Sequence, residues 1–199
     1  MARTVEGRLA PELLRIFFPL FQEGVELEVE VGCTIKQLLV GQFGIAADYL
    51  SARITTLFLN NRAVDDVATA VITDGSVLAL SGAMPGLVGA TMRSGGYYAA
   101  MRGAMTYAND QQEVPVKQGR IKLKLFNLLL EELGPRVMQW GILLSGARFN
   151  ELLAAQPEGF RLRDCRLDGR TVVGEILQTG RRRFEDAALV KLTVSFGGE

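Results

Sequence analysis

The 199-residue chain contains no histidine and only two cysteines, Cys33 and Cys165. A Ser-His-Asp triad, a Cys-His dyad and an imidazole-ligated metal are therefore impossible within it. Two thiols so far apart in sequence make neither a C-x-x-C redox pair nor a four-thiolate zinc site. Neither G-x-x-x-x-G-K-[ST] nor G-x-G-x-x-G occurs, so no phosphate loop is written in the chain. The acid pairs Asp65-Asp66 and Glu131-Glu132 are sequence neighbours, which does not by itself build a catalytic dyad. Cys33 precedes a predicted helix start, where the helix dipole lowers a thiol pKa; a small buried residue is the expected role. The expectation is no catalytic residue, no metal site and no cofactor, so an enzyme is the less favoured reading.

Charge narrows the partners. The formal net charge is zero, with 22 basic against 22 acidic residues. The most basic region holds Arg161, Arg163, Arg166, Arg170 and Arg181-Arg182-Arg183, offset by Asp164, Asp168 and Glu175. Aromatic residues are sparse there, so a solvated face is expected and no nucleic-acid partner. Residues 1–10 carry Arg3, Glu6 and Arg8 and lack the apolar core of a signal peptide. No stretch of 18 uncharged apolar residues occurs, so no membrane partner is expected. With two cysteines, a cytoplasmic location is the expectation.

The elements that would position any site can be read from periodicity. Val25 to Val31 alternates apolar with Glu26, Glu28 and Glu30, one face buried and one acidic. Leu13 to Phe18 is a dense apolar run that reads as the preceding strand, giving a predicted β-hairpin over 13–31. Thr34-Ile35-Lys36-Gln37 has the form of a capping box, and Ile35, Leu38 and Leu39 form the stripe of a core-facing helix. Ile54 to Leu59 is a strand, Asn60-Asn61 a turn tolerant of left-handed dihedrals, Thr73-Asp74-Gly75 another turn, and Val77 to Leu80 a further strand.

In order and spacing, residues 26–82 resemble the ubiquitin-like β-grasp superfamily. Within it they are most similar to the small sulfur-carrier proteins of molybdopterin and thiamine biosynthesis. The resemblance rests on Val29 to Leu39, Phe58 to Val64 and Thr73 to Leu80. It implies an α+β fold and a first β-grasp domain over 13–82, after an N-terminal extension of 1–12.

A second α+β domain over 120–199 repeats the plan, so two β-grasp modules in tandem are expected. Ile121 to Phe126 alternates like a strand. Asn127 to Leu133 reads as a short helix closed by Gly134-Pro135. Gly141 to Leu144 reads as a strand, and Ser145 caps a helix with stripe Phe149, Leu152 and Leu153. Cys165 to Val172 parallels Phe58 to Val64, and Leu189 to Phe196 closes the domain.

The chain ends Gly197-Gly198-Glu199. In sulfur carriers a diglycine tail threads into a partner's active site, where its carboxylate is adenylated and becomes a thiocarboxylate. Glycine suits a narrow tunnel because it has no side chain. Here Glu199 follows Gly198, so the resemblance implies a carrier only once Glu199 is removed.

The connecting segment 83–119 is rich in Gly, Met and Tyr, whereas a plain linker is polar. Thioethers and tyrosines suit a contact surface, so Met84, Leu87, Val88, Tyr97 and Tyr98 are expected to bind within the chain or to a partner. The expected function is that of a non-catalytic binding protein, sulfur-carrier-like in form. Its expected partner is a protein, either an adenylating activating enzyme or a second copy of itself.

Overall fold

The computed structural model describes residues 2–82, 84, 86–107, 114–155, 162–172 and 184–197. The fold is α+β. In chain order its elements are β1 (Arg3–Leu9), a 3-10 segment (Pro11–Phe17), α1 (Phe18–Glu23), β2 (Val25–Val31), a π-wound helix (Gln37–Gln42), α2 (Ala47–Arg53), β3 (Thr56–Leu59), β4 (Arg62–Ala63) and β5 (Val77–Ser81). They continue with α3 (Gly86–Met92), a second 3-10 segment (Tyr97–Met105), β6 (Lys117–Phe126), α4 (Leu129–Trp140), β7 (Ile142–Ser145), α5 (Gly146–Ala154), β8 (Arg163–Leu167), β9 (Arg170–Thr171) and β10 (Leu189–Phe196). Contacts divide the chain into two units. One is Phe21–Glu132; the other is Met1–Leu20 together with Leu133–Glu199.

In Phe21–Glu132 the strand order is β4-β3-β5-β6-β2. β5 and β6 run parallel and the other pairs antiparallel. The alternation of β2 holds: its apolar residues are buried and its glutamates exposed. Glu26 lies opposite Lys122 and Glu28 opposite Arg120 on β6, so unlike charges face each other across the strands. The capping box forms as expected. Gln37 N–H donates to Thr34 Oγ1 at 3.2 Å, and Thr34 N–H donates to Gln37 Oε1 at 2.8 Å. Ile35, Leu38 and Leu39 are fully buried. Asn60 and Asn61 have φ of 50° and 65°, the left-handed pair that a two-residue hairpin turn requires. On the surface of this unit Arg53 and Tyr49 both donate to Glu132. The Arg53 hydrogen bond, with help from Tyr49, holds the Glu132 carboxyl below its usual pKa.

In the other unit the order is β9-β8-β1-β10-β7. β1 and β10 run parallel and the remaining pairs antiparallel. Strand for strand, this is the pairing pattern found within Phe21–Glu132. The β8–β9 turn has Asp168 at φ 49° and Gly169 at 76°, again a left-handed pair. Ser145 caps α5 by accepting from Arg148 N–H at 3.2 Å. Phe149 is buried from α5 and meets Phe184 edge to face, centroids 5.0 Å apart. Gly146 must be glycine, because a Cβ there would collide with the Glu185 carbonyl oxygen.

Four expectations are corrected. Leu13 to Phe18 is not a strand, so the 13–31 hairpin does not exist. Its buried residues Leu14, Phe17, Leu20 and Phe21 fall at helical spacing, and Pro11 and Pro19 sit in first turns, where a missing N–H costs little. Residues 3–9, expected in an extension, form β1. Gly134-Pro135 does not end a helix: α4 runs through Pro135. Its stripe runs from Leu133 across the proline to Val137 and Met138, all buried, and that burial outweighs one lost backbone bond. Leu152 and Leu153 are only half-buried, so Phe149 carries the inward face of α5.

Candidate functional site

Within the connecting segment, Gly86–Met92 and Tyr97–Met105 form a helical insert between β5 and β6. Glycines open it: Gly86 has φ 77°, and Gly89 lets α3 approach the Met84 carbonyl so closely that a Cβ would clash. α3 packs against the 3-10 segment 97–105. The inner side of the insert is polar and anchored within its own unit. Ser94 N–H donates to Thr55 O at 2.9 Å and its hydroxyl to Val64 O at 2.6 Å. Tyr107 N–H donates to Ala63 O at 2.8 Å, and Gly95 N–H to Asp65 Oδ1 at 3.0 Å. Arg102 is buried, and its Nη2 donates to Asp65 Oδ1 at 2.5 Å and to Arg93 O at 3.3 Å.

The insert also carries exposed apolar side chains. Leu87 is 72% exposed, Val88 61%, Tyr97 93% and Tyr98 40%. Met101 and Met105 join them at 73% and 52%. The sequence reading named Leu87, Val88, Tyr97 and Tyr98, and the structure brings these four into one insert. Met84 is half-buried and backs α3. The reading omitted Met101 and Met105. The signal was available for Met101, which lies four and three residues from Tyr97 and Tyr98, the spacing that shares a helical face.

Two clefts accompany this surface, one in each unit. The first, about 430 Å³, has Leu50, Ile54 and Leu57 with Asp65, Arg93 and Ser94 in its lining. The second, about 470 Å³, lies over Glu6, Arg8, Asp164, Arg166, Thr193 and Ser195. In it Arg8 pairs with Asp164 at 3.7 Å. Arg161 and Arg181 to Arg183 of the basic region lie outside the described residues, as do Gly198 and Glu199 of the tail. Gly197 is described, and its N–H donates to Leu9 O at 3.1 Å. Among the described residues no group of three or more His, Cys, Asp or Glu is placed to hold a metal ion. No helix among them is long and apolar enough to cross a membrane.

Cys33 does not have the activated thiol that a helix dipole alone would give. Its Sγ donates to Glu30 O at 3.2 Å and accepts from Gln42 Nε2 at 3.3 Å. Burial pushes its thiol pKa up, and burial does the same at Cys165. The thiolate is the reactive form. Native protein near neutral pH should therefore react with a maleimide far more slowly than unfolded protein, which should take up label at both cysteines. Labelling of either native thiol at the unfolded rate would contradict this burial.

The chain matches no protein-family model, no curated protein and no solved structure.

Proposed function

We propose that the chain is a non-catalytic β-grasp protein, sulfur-carrier-like in form, that works by binding protein through the apolar face of its insert. The observation that carries the binding reading is that face: large apolar side chains held open on an insert whose inner side is fixed by hydrogen bonds. Patches of this kind on a folded chain mark interaction sites. The β-grasp reading is supported by recurrence. Strand, helix, strand, left-handed turn and short strand follow one another in β2 to β4 and again in β7 to β9. Each set lies in a run of five paired strands with the same parallel and antiparallel pattern. Two modules derived from one plan account for this economically.

The second reading, a true carrier with a thiocarboxylate at Gly198, is favoured by the Gly197-Gly198 pair alone and opposed by Glu199. Intact mass separates the two. Protein isolated from its own cell, and again after incubation with ATP and a cognate activating enzyme, should keep Glu199 and show no change. Loss of Glu199 followed by a gain of roughly 16 Da, sulfur replacing oxygen as in covalent carrier chemistry, would establish the carrier instead.

A further inference from the structure

We propose that the cleft beside α2 binds a small organic monoanion with an apolar body, of the class of medium-chain aliphatic carboxylates. The proposal is independent of the protein-binding reading above, which uses the exposed side chains of the insert. The whole cleft lies within the unit Phe21–Glu132.

One face of α2 makes both the floor and the opening. Ala47, Leu50, Ser51 and Ile54 line the cleft. They stand at i, i+3, i+4 and i+7, the spacing of a single helical face. Leu50 and Ile54 are buried, as is Leu57 on β3, so the floor is the edge of the core. Ala47 and Ser51 are exposed, and their small side chains leave the space above that floor empty. A large side chain at either position would fill it. At about 430 Å³ the cleft falls within the roughly 300–1,000 Å³ of small-molecule sites, which combine apolar walls with a few polar groups.

Charge selects the ligand. Lys36 and Arg93 both line the cleft and are exposed. Among the described residues neither side chain has an ion-pair or hydrogen-bond partner. The lining also holds two carboxylates, Asp65 and Asp66. Asp65 is taken by buried Arg102 and by Gly95 N–H. Asp66 Oδ1 accepts from Ala68 N–H at 2.8 Å. Lys36 and Arg93 against Asp66 leave one positive charge in excess, which suits a monoanion better than a dianion or a cation. Backbone at the Arg93 side of the cleft is fixed in advance. The Arg93 carbonyl accepts from Arg102 Nη2 at 3.3 Å and from Gly96 N–H at 3.1 Å. Ser94 beside it is tied to Thr55 and Val64. The buried Arg102–Asp65 pair thus helps to order one wall before a ligand arrives, which lowers the cost of binding. The carboxylate accepts from Lys36 and Arg93, charge-assisted bonds that a carboxylate suits well, while the alkyl chain covers Leu50, Ile54 and Leu57.

Titration of the full, nitrogen-15-labelled chain with octanoate, followed by amide chemical shifts, tests this against neutral octanamide and cationic octylammonium. Octanoate should give saturable shifts centred on residues 47–57, 65–68 and 93–95. Octanamide should bind there about fivefold more weakly, the scale of a partly solvated charge pair, and octylammonium more weakly still. Lys36→Gln/Arg93→Gln should weaken octanoate about fivefold on the same scale and leave octanamide unchanged. Ser51→Phe should abolish binding of both, and Ser51→Ala, which keeps the cleft open, should bind as wild type does. All of these positions are exposed, so thermal midpoints should stay at wild-type values. Absence of saturable octanoate shifts would overturn the proposal, as would octanoate binding unchanged by Ser51→Phe. Equal affinity for octanoate and octanamide would also overturn it, and tighter octylammonium would assign the cleft to a cation. Shifts confined to Leu87, Val88, Tyr97 and Tyr98 would overturn it by placing the alkyl chain on the insert. None of these readouts depends on a protein partner or on Glu199, so failure here is distinct from failure of the binding reading.

Discussion

Asp65→Ala should destabilise the unit Phe21–Glu132 by about 3 kcal/mol, the low end of the range for stranding a buried charge. Arg102 has no exposed side-chain surface. Among the described residues its Nε and Nη1 have no hydrogen-bond partner, and its charge is met by Asp65 Oδ1. Removing that carboxylate leaves a guanidinium in a low-dielectric setting without a counter-charge, and also strands Gly95 N–H. The Asp65 side chain is 35% exposed, so water can partly replace it, which sets the low end. Arg102→Met should cost much less, about 1 kcal/mol or below, because it removes the charge together with its unpaired donors. Urea unfolding gives both values, and hydrogen exchange over residues 93–107 should rise in Asp65→Ala. Equal costs for the two variants would show that the charge is not what matters here.

Leu38→Ala and Phe149→Ala should each cost about 3–4 kcal/mol, the usual penalty for truncating a fully buried large side chain. Leu38 is fully buried on the capped helix of one unit. Phe149 is buried on α5 of the other, against Phe184. Leu152→Ala and Leu153→Ala should cost about 1 kcal/mol each, since half-buried side chains leave smaller cavities and lose less transfer energy. Denaturant midpoints order the four variants directly. A Leu152→Ala penalty as large as that of Phe149→Ala would reverse the assignment of the inward face of α5.

Local chemistry was legible where it depends on neighbours in sequence. The Thr34/Gln37 box, the Asn60-Asn61 turn, the alternation of β2 and the span of β10 all follow from residue types a few positions apart, and all form. The composition of the insert raised the expectation of a contact surface, and four of the five residues named from sequence are exposed.

Pairing partners were not legible, because a strand's partner is chosen by the whole sheet. The Leu13 to Phe18 run offered a nearby partner for β2, yet its buried positions fit a helical turn, and β2 pairs instead with β6. β6 supplies Lys122 and Arg120 opposite Glu26 and Glu28, a complementarity that no window of twenty residues contains. In the same way β1 finds β10 at the far end of the chain, matched from Arg3–Val190 to Leu9–Phe196. The buried side of Arg102 was equally hidden. Sequence placed Arg102 in an apolar segment, and only the fold brings Asp65, 37 positions away, within 2.5 Å of it. Short-range hydrogen bonding and periodicity thus determined the elements. Burial summed over distant segments decided which strands joined, where α4 ended, and which side of the insert stayed open.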